Sequence, residues 1–236
     1  MKKLTKDYKE NVALLDSTLR IKENFDILKK ILKVGDDEIT LYYIDGFVKD
    51  TVMQKMMMSF SSLKGLGKKG EDTARAFMIG HVPHVEADVT DDTELMIQTV
   101  LSGAVLMLGS SFLDKAITVD ARSYPARETA EPENDRVMRG ARDGFVETLI
   151  FNTALIRRRI RDTSLTMSYT SVGTRSKTDI VICYLSNKAD LSYVDSLKKK
   201  IAAIKTEALT VGMQSLAECL IKSRCARPAI TDSSDT

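Results

Sequence analysis

A chain of 236 residues, 43% hydrophobic and 29% charged, holds enough apolar residues to bury a core as one large or two small domains. Its 35 basic residues are balanced by 33 acidic ones, which excludes a global field drawing it onto nucleic acid or an anionic membrane, so any basic patch is local. No apolar run approaches the roughly 20 residues that cross a bilayer, and MKKLTKDYKENVALLDSTLR lacks the apolar centre of a signal peptide. The three cysteines, Cys183, Cys219 and Cys225, show no metal-ligand spacing, and their odd count suits a reducing compartment such as the cytosol.

Residues 6–19 place Val12, Leu15 and Leu19 at helical spacing behind a polar face, which predicts an amphipathic helix ending near Ile21. In FDILKKILKVGDDEITLYYIDG two apolar stretches flank Gly35-Asp36-Asp37, a turn composition. A β-hairpin is expected there, with strands at 27–34 and 38–44 and a close at Asp45-Gly46. From Asp50 to Leu63 methionines recur at helical spacing (Val52, Met53, Met56, Met57, Phe60), giving a helix with Asp50 as N-cap and a glycine and lysine loop after it. A strand at 83–86, a helix at 91–101 and strands at 104–109 and 115–121 complete a first half of mixed helix and strand.

YPARETAEPEND, with two prolines and several charges, disfavours helix and marks a boundary. The expected organisation is a first subdomain at 1–126, a linker at 127–136, a second subdomain at 137–222 and an unstructured tail at 223–236. The second subdomain opens with the arginine-flanked RGARDGFVETLIFNTALIRRRIRD, read as one unbroken helix over 139–162. SLTMSYTSVG and TDIVICYLS follow as a hairpin across Thr174-Arg175-Ser176, and then helices at 191–204 and 212–221. LYYIDGFVKDTVM and ICYLSNKADLSYV both run from an aromatic strand end through a polar loop into a helix. The fold class is therefore α/β (mixed α+β), with two small related subdomains, each a mixed sheet with flanking helices.

Several motifs imitate catalytic or ligand-binding signatures. GLGKKG at 65–70 has the letters of a dinucleotide fingerprint, but that motif needs a strand before it and a helix opening on it, and here a helix precedes. It reads as a mobile loop whose clustered Lys64, Lys68 and Lys69 are available to an anionic surface. HVPHVE brings His81, His84 and Glu86 close in sequence, yet Pro83 favours extended backbone and turns the two histidines onto different faces, so no metal site is expected. Two such adjacent histidines build no nucleophile and base pair, and Asp91 and Asp92 suit the positive end of a helix better than catalysis. No cofactor is implied.

On a helical wheel Phe145, Leu149, Asn152, Ile156 and Ile160 share one side of the arginine-flanked segment while Phe151 and Leu155 fall on another, so a central, buried helix is expected. Its arginines cluster at the ends: Arg139 and Arg142 before the apolar part, and Arg157, Arg158, Arg159 and Arg161 after it. Cations in last turns complement the helix dipole, and guanidinium forks bind carboxylates bidentately. With Glu131, Glu133, Asp143, Glu147 and Asp162 nearby, the set reads as internally paired and structural, or as partly available for docking.

RSYPARETAEPENDRVMRGARDGFVETLIFNTALIRRRIRD, followed by SVGTRSKTDIVICYLSNKAD, resembles the soluble N-terminal region of the spore germination GerA A-subunit family. The resemblance rests on Pro125 to Arg127, Glu131-Pro132, Arg139 to Glu147, Asn152, Leu155 to Arg161 and Val172 to Thr178, with Tyr43-Ile44-Asp45-Gly46-Phe47 in the first half, over about 6–222. It implies a two-subdomain, non-enzymatic module that precedes a multi-helix membrane domain in the endospore inner membrane, facing the cytoplasm, in proteins that sense nutrients and release ions. Its partners would be other germination proteins and further copies of itself, not nucleic acid, with membrane association only through a C-terminal region or partners. The motif residues implied for structure and interaction are Arg139, Arg142, Asp143, Glu147, Asn152, Arg157, Arg158, Arg159 and Arg161. The pattern stops after Lys222 and the membrane region is missing, so ion conduction is not assigned to this chain. An alternative is a sensor for a nutrient or an anion, with a candidate ligand cleft at Tyr43, Asp45 and Arg127.

Overall fold

The computed structural model describes residues 3–83, 86–123, 145–204, 206–207, 216–217 and 219–220. By internal packing the chain divides into two compact units, Met1–Ala126 with Thr153–Thr163, and Arg127–Asn152 with Ser164–Thr236.

In the first unit, helix α1 (Tyr8–Thr18) starts on Asp7, whose carboxylate accepts the N–H groups of Lys9 (2.7 Å) and Glu10 (3.0 Å). Strands β1 (Ile27–Val34) and β2 (Asp37–Ile44) form the expected hairpin, Ile27 opposite Ile44 and Val34 opposite Asp37. Gly35 turns the hairpin at φ +63°, where a Cβ would sit 2.0 Å from the Lys64 carbonyl oxygen, so both conformation and space demand glycine. There follow α2 (Asp50–Ser61), α3 (Thr73–His81), β3 (Ala87–Thr90), α4 (Thr93–Leu101), β4 (Val105–Gly109) and β5 (Ala116–Val119). The sheet order is β1-β2-β4-β5-β3, and every pairing is antiparallel.

Side chains alternate across this sheet with period two. Ile39, Leu41, Val105, Met107, Ile117 and Val119 pack against Met53, Met56, Phe60 and Phe77 from α2 and α3. Tyr42, Ile44, Leu106, Leu108 and Ala116 pack on the opposite face against Leu15 of α1 and Met96, Ile97 and Val100 of α4. A sheet covered on both faces explains why the central β4, Val-Leu-Met-Leu-Gly, is apolar throughout and wholly buried. Each such fully buried aliphatic side chain contributes roughly 1.5–3 kcal/mol.

Asp37 ties the hairpin to two loops. Its carboxylate accepts the Leu66 N–H (2.9 Å) and the hydroxyls of Ser110 (2.7 Å) and Ser111 (2.9 Å). The GLGKKG stretch, which follows α2 as the sequence indicates, is thus held from below by a carboxylate, with Lys68 offering its carbonyl to the Thr73 hydroxyl.

In the second unit, β6 (Leu165–Val172) and β7 (Thr178–Leu185) form an antiparallel hairpin, and α6 (Leu191–Ala202) begins on Asp190, which accepts the N–H groups of Ser192 and Tyr193. A further helix, α5 (Leu149–Arg159), starts in the residues of the second unit and ends in those of the first. The order α5-β6-β7-α6 repeats α1-β1-β2-α2 with matching lengths, helices of 11 residues, strands of 8 and helices of 12. The mixed α/β class is observed, although both sheets are antiparallel rather than mixed.

Four expectations change. Asp50 is the first helical residue and Lys49 the cap, because Lys49 is still extended while its carbonyl already accepts the Met53 N–H; Asp50 nonetheless stands at the positive end of the dipole. The strand placed at 83–86 lies at 87–90, where Ala87 pairs with Val119, and α3 occupies a stretch read as loop, stopping just short of Pro83. The arginine-rich run is helical only over Leu149–Arg159 among its described residues. Its last turns belong to the first unit rather than wholly to the second. The linker at 127–136 and most of the helix at 212–221 fall outside the described residues.

Replacing Gly35 by alanine is expected to cost about 1–3 kcal/mol in denaturant unfolding through the strained turn and the Lys64 carbonyl. Partial burial pushes the Asp37 carboxyl up, but the Leu66 N–H and the Ser110 and Ser111 hydroxyls outweigh it and hold it below its usual value. A depressed folded value stabilises the fold above the unfolded carboxylate range near pH 3.9 and loses that stabilisation as pH falls through the lower value. The stability of Asp37→Asn should therefore fall less steeply than wild type on acidification below about pH 4, in a series of urea titrations.

Candidate functional site

Of the ion pairs formed among the described residues, a deeply buried one centres on Arg157. Its Nε donates to Asp26 Oδ2 at 2.8 Å and its Nη2 to Asp26 Oδ1 at 3.0 Å, a two-point fork, while Nη2 also donates to Asn24 Oδ1 at 3.2 Å. The guanidinium is 0% exposed and the Asp26 side chain 3%. Asn24 is aimed by its own amide, which donates to the Leu19 carbonyl at 3.2 Å, and the Asp26 carbonyl accepts the Asp45 N–H at 2.8 Å. The cradle is built from the chain between α1 and β1, where Arg20 takes φ +53°, and from the turn after β2.

That turn is the Tyr-Ile-Asp-Gly-Phe motif. Phe47 N–H donates to the Ile44 carbonyl across Gly46 at φ +79°, and the buried Phe47 ring lies over Gly103, where a Cβ would come within 2.5 Å of it. The motif is thus explained by backbone geometry and packing. Its Tyr43 lines a shallow hollow of about 480 Å³ with Asp50, Met53, Gln54, Met57 and Met58. Burial raises the Tyr43 hydroxyl above its usual value, helped by the Asp45 and Asp50 carboxylates. Arg127, the third residue of the candidate cleft, lies outside the described residues.

At the start of α5, Asn152 accepts the Val146 N–H (2.7 Å) and donates to the Val146 carbonyl (2.6 Å), fixing how the chain enters the helix. The inward face of α5 is Thr153, Ala154 and Arg157, not the apolar stripe drawn on the wheel: Phe145 is 49% and Phe151 44% exposed, and Ile160 is exposed too. The wheel was misled because a buried arginine counts as polar. Arg158, Arg159, Arg161 and Glu147 are exposed, and Arg139, Arg142 and Asp143 lie outside the described residues. Asp92 caps α4 by accepting the Glu94 N–H at 2.8 Å, a helix-terminal role as expected. His81 ends α3 against the Phe77 ring, and His84 is outside the described residues.

A second network escaped the sequence reading. Lys29 donates to Asp16 (2.6 Å), which accepts the Tyr42 hydroxyl (2.8 Å), and burial together with that bond pushes the Tyr42 hydroxyl far up. Lys29 and Tyr42 are opposite each other in the β1 and β2 register, a pairing visible once the hairpin is placed. Among the described residues no group of three or more His, Cys, Asp or Glu is arranged to hold a metal ion, and no helix is long and apolar enough to cross a membrane.

Fold and site together define a two-unit α/β domain whose conspicuous charged motif is anchored by a buried ion pair. A family model described as the Bacillus/Clostridium GerA spore germination protein matches residues 16–232, and the chain belongs to that family. Stage V sporulation protein AF of Bacillus subtilis (strain 168) is 36% identical over 200 residues, covering 84% of this chain and 40% of that protein. Spore germination protein B1 of the same organism is 28% identical over 211 residues, 83% of this chain and 42% of that protein. The chain thus spans about two fifths of these relatives. The crystal structure of the N-terminal domain of the A subunit of the Bacillus megaterium spore germinant receptor GerK3 superposes with a TM-score of 0.65 at 17% identity, covering 98% of this chain and 84% of that one, a likeness of fold.

Arg157→Met leaves Asp26 buried without its counter-charge and should cost about 3–5 kcal/mol in chemical denaturation, whereas Asp26→Leu combined with Arg157→Met should recover most of the loss.

Proposed function

We propose that this chain is the soluble, non-catalytic domain of a germination protein, acting on the cytoplasmic face of the spore inner membrane by docking onto other germination proteins in signalling and ion release. The observation that carries this reading is the division of labour within one arginine run. Arg157 is locked inside the first unit, and Arg158 and Arg159 at the helix end, with Arg161 just beyond it, are exposed. A cationic edge on a rigid support suits charge-guided recognition of an acidic protein surface, since such groups set orientation and association rate. Membership of the germination family supports the setting, and ion passage would belong to a part of the relatives that this chain does not span.

A small-molecule sensor is the second reading, favoured by the Tyr43 hollow with its methionine floor and its Asp50 and Gln54 groups. A thermal-shift screen of amino acids, sugars, nucleosides and phosphate separates the two, because a ligand of the folded state raises the midpoint.

Arg158→Glu with Arg159→Glu, both at exposed positions, should change folding stability by no more than about 1 kcal/mol while slowing germination of spores that carry the altered gene and reducing co-isolation of other germination proteins. Normal germination with a stably folded variant would contradict the docking role.

A further inference from the structure

Helix α2 has two unlike flanks. Met53, Met56 and Phe60 turn into the apolar cluster beneath it. On the flank toward α3 the Ser59 hydroxyl donates to the His81 carbonyl at 3.0 Å, and the Phe60 and Phe77 rings meet at 5.4 Å. Met57 lies about 160° round the helix from Ser59, on the flank turned away from α3. That flank is a stripe: Asp50, Gln54, Met57 with Met58, and Ser61 follow at helical spacing over three turns, roughly 16 Å. With Tyr43 of β2 they border the hollow of about 480 Å³, and all of them belong to the first unit.

The trough is apolar with an acidic end. Met53, Met57 and Met58 supply flexible thioether side chains, which re-pack around an apolar partner of irregular outline. Met58 stands 65% exposed, so the trough is open along its outer side. A small molecule is ordinarily enclosed over about 70–90% of its surface, which an open trough does not provide, whereas a helix laid lengthwise needs only one side covered. The charge lies at the Tyr43 end: Asp50 stands on the rim, and the Asp45 and Asp50 carboxylates both act on the Tyr43 hydroxyl. Neither Lys49 nor Lys55 lines the trough, since Lys55 is turned about 160° away from Met57.

We propose that this trough docks an amphipathic helix of a partner protein, laid antiparallel to α2, with its apolar stripe on Tyr43, Met57 and Met58 and a lysine or arginine of its last turn beside Asp50. Antiparallel placement brings the partner's C-terminal turn, where cations are favoured, to the acidic end of the trough. The apolar contact supplies affinity, and the charge pair sets which way round the helix lies. This inference rests on the reading of the chain as an interaction domain and names a surface other than the Arg158 and Arg159 edge.

The test titrates the full chain, carbon-13 labelled at its methionine methyls, with a synthetic helical peptide of about 14 residues that has leucines spaced three and four apart and lysines in its last turn. Saturable shifts of the Met57 and Met58 methyl signals are expected, assigned through Met57→Leu and Met58→Leu, while Met96 on the opposite face of the sheet stays unmoved. Met58→Lys, at an exposed position, should weaken binding by at least about tenfold with the thermal midpoint unchanged. Should that variant fail to fold, Gln54→Lys provides the same comparison. Asp50→Lys should weaken the lysine peptide and favour one with glutamates in place of its lysines. No saturable binding, binding that leaves Met57 and Met58 unmoved, or equal affinity of the wild-type chain for the two peptides each overturns the inference. So do shifts of these signals with protein concentration alone, as a second copy would give, or with a compound from the thermal-shift screen, which would hand the hollow to the small-molecule reading. Failure of peptide binding while germination proteins still co-isolate removes this site and leaves the proposed function standing, whereas co-isolation undiminished in Arg158→Glu with Arg159→Glu, with peptide binding intact, does the reverse.

Discussion

A guanidinium and a carboxylate withdrawn from water stabilise a fold only while each satisfies the other, and the pair of Arg157 and Asp26 is where this molecule depends on that condition. The pair fastens a stretch of chain that continues from the second unit into the packing of the first, where Ala154 joins the same apolar cluster as Tyr42 and Leu106. It also draws together three otherwise separate pieces of backbone: the end of α1 through Asn24, the start of β1 through Asp26, and the turn after β2 through Asp45. The arginine-rich motif and the Tyr-Ile-Asp-Gly-Phe motif, far apart in the chain, are therefore two sides of one structural joint.

The hairpins were legible because their signals are local. Gly35 with alternating apolar flanks specifies a tight turn, and the β6 and β7 strands carry the same pattern. Helix α3 was missed because Thr73–His81 follows a lysine and glycine loop, and its buried residues, Thr73, Ala74 and Phe77, include a single large apolar group, a stripe too narrow to stand out from a loop. The order of the five strands was not readable at all, since placing β4 between β2 and β5 depends on packing on both faces of the sheet rather than on any neighbour in sequence.

The candidate site shows the same split. Arginines at a helix end suggested carboxylate partners, and one was found, but at Asp26, 131 residues away, rather than among the acids nearby in sequence. Periodicity cannot see such a partner, and it also treats a buried arginine as an outward group, so the helix face was drawn on the wrong side. Asp26 did leave a trace: a lone acid and an asparagine stand in NFD immediately before an apolar strand, a place where an unpaired carboxylate would be costly. The lysine- and glycine-rich stretch was read as a loop and is one, and Asp37 grips it through the Leu66 N–H.

The chain belongs to the GerA germination family, and its arginine run is anchored in the first unit by a buried ion pair. The central physical claim is that residues 153–159 are an integral part of the first unit through Arg157. Native-state amide exchange tests this most directly: the α5 amides from Ala154 to Arg157 should open with the same free energy as those of β2 and β4, as one cooperative body. Exchange of α5 through a separate, low-energy opening while β2 and β4 stay protected would contradict it.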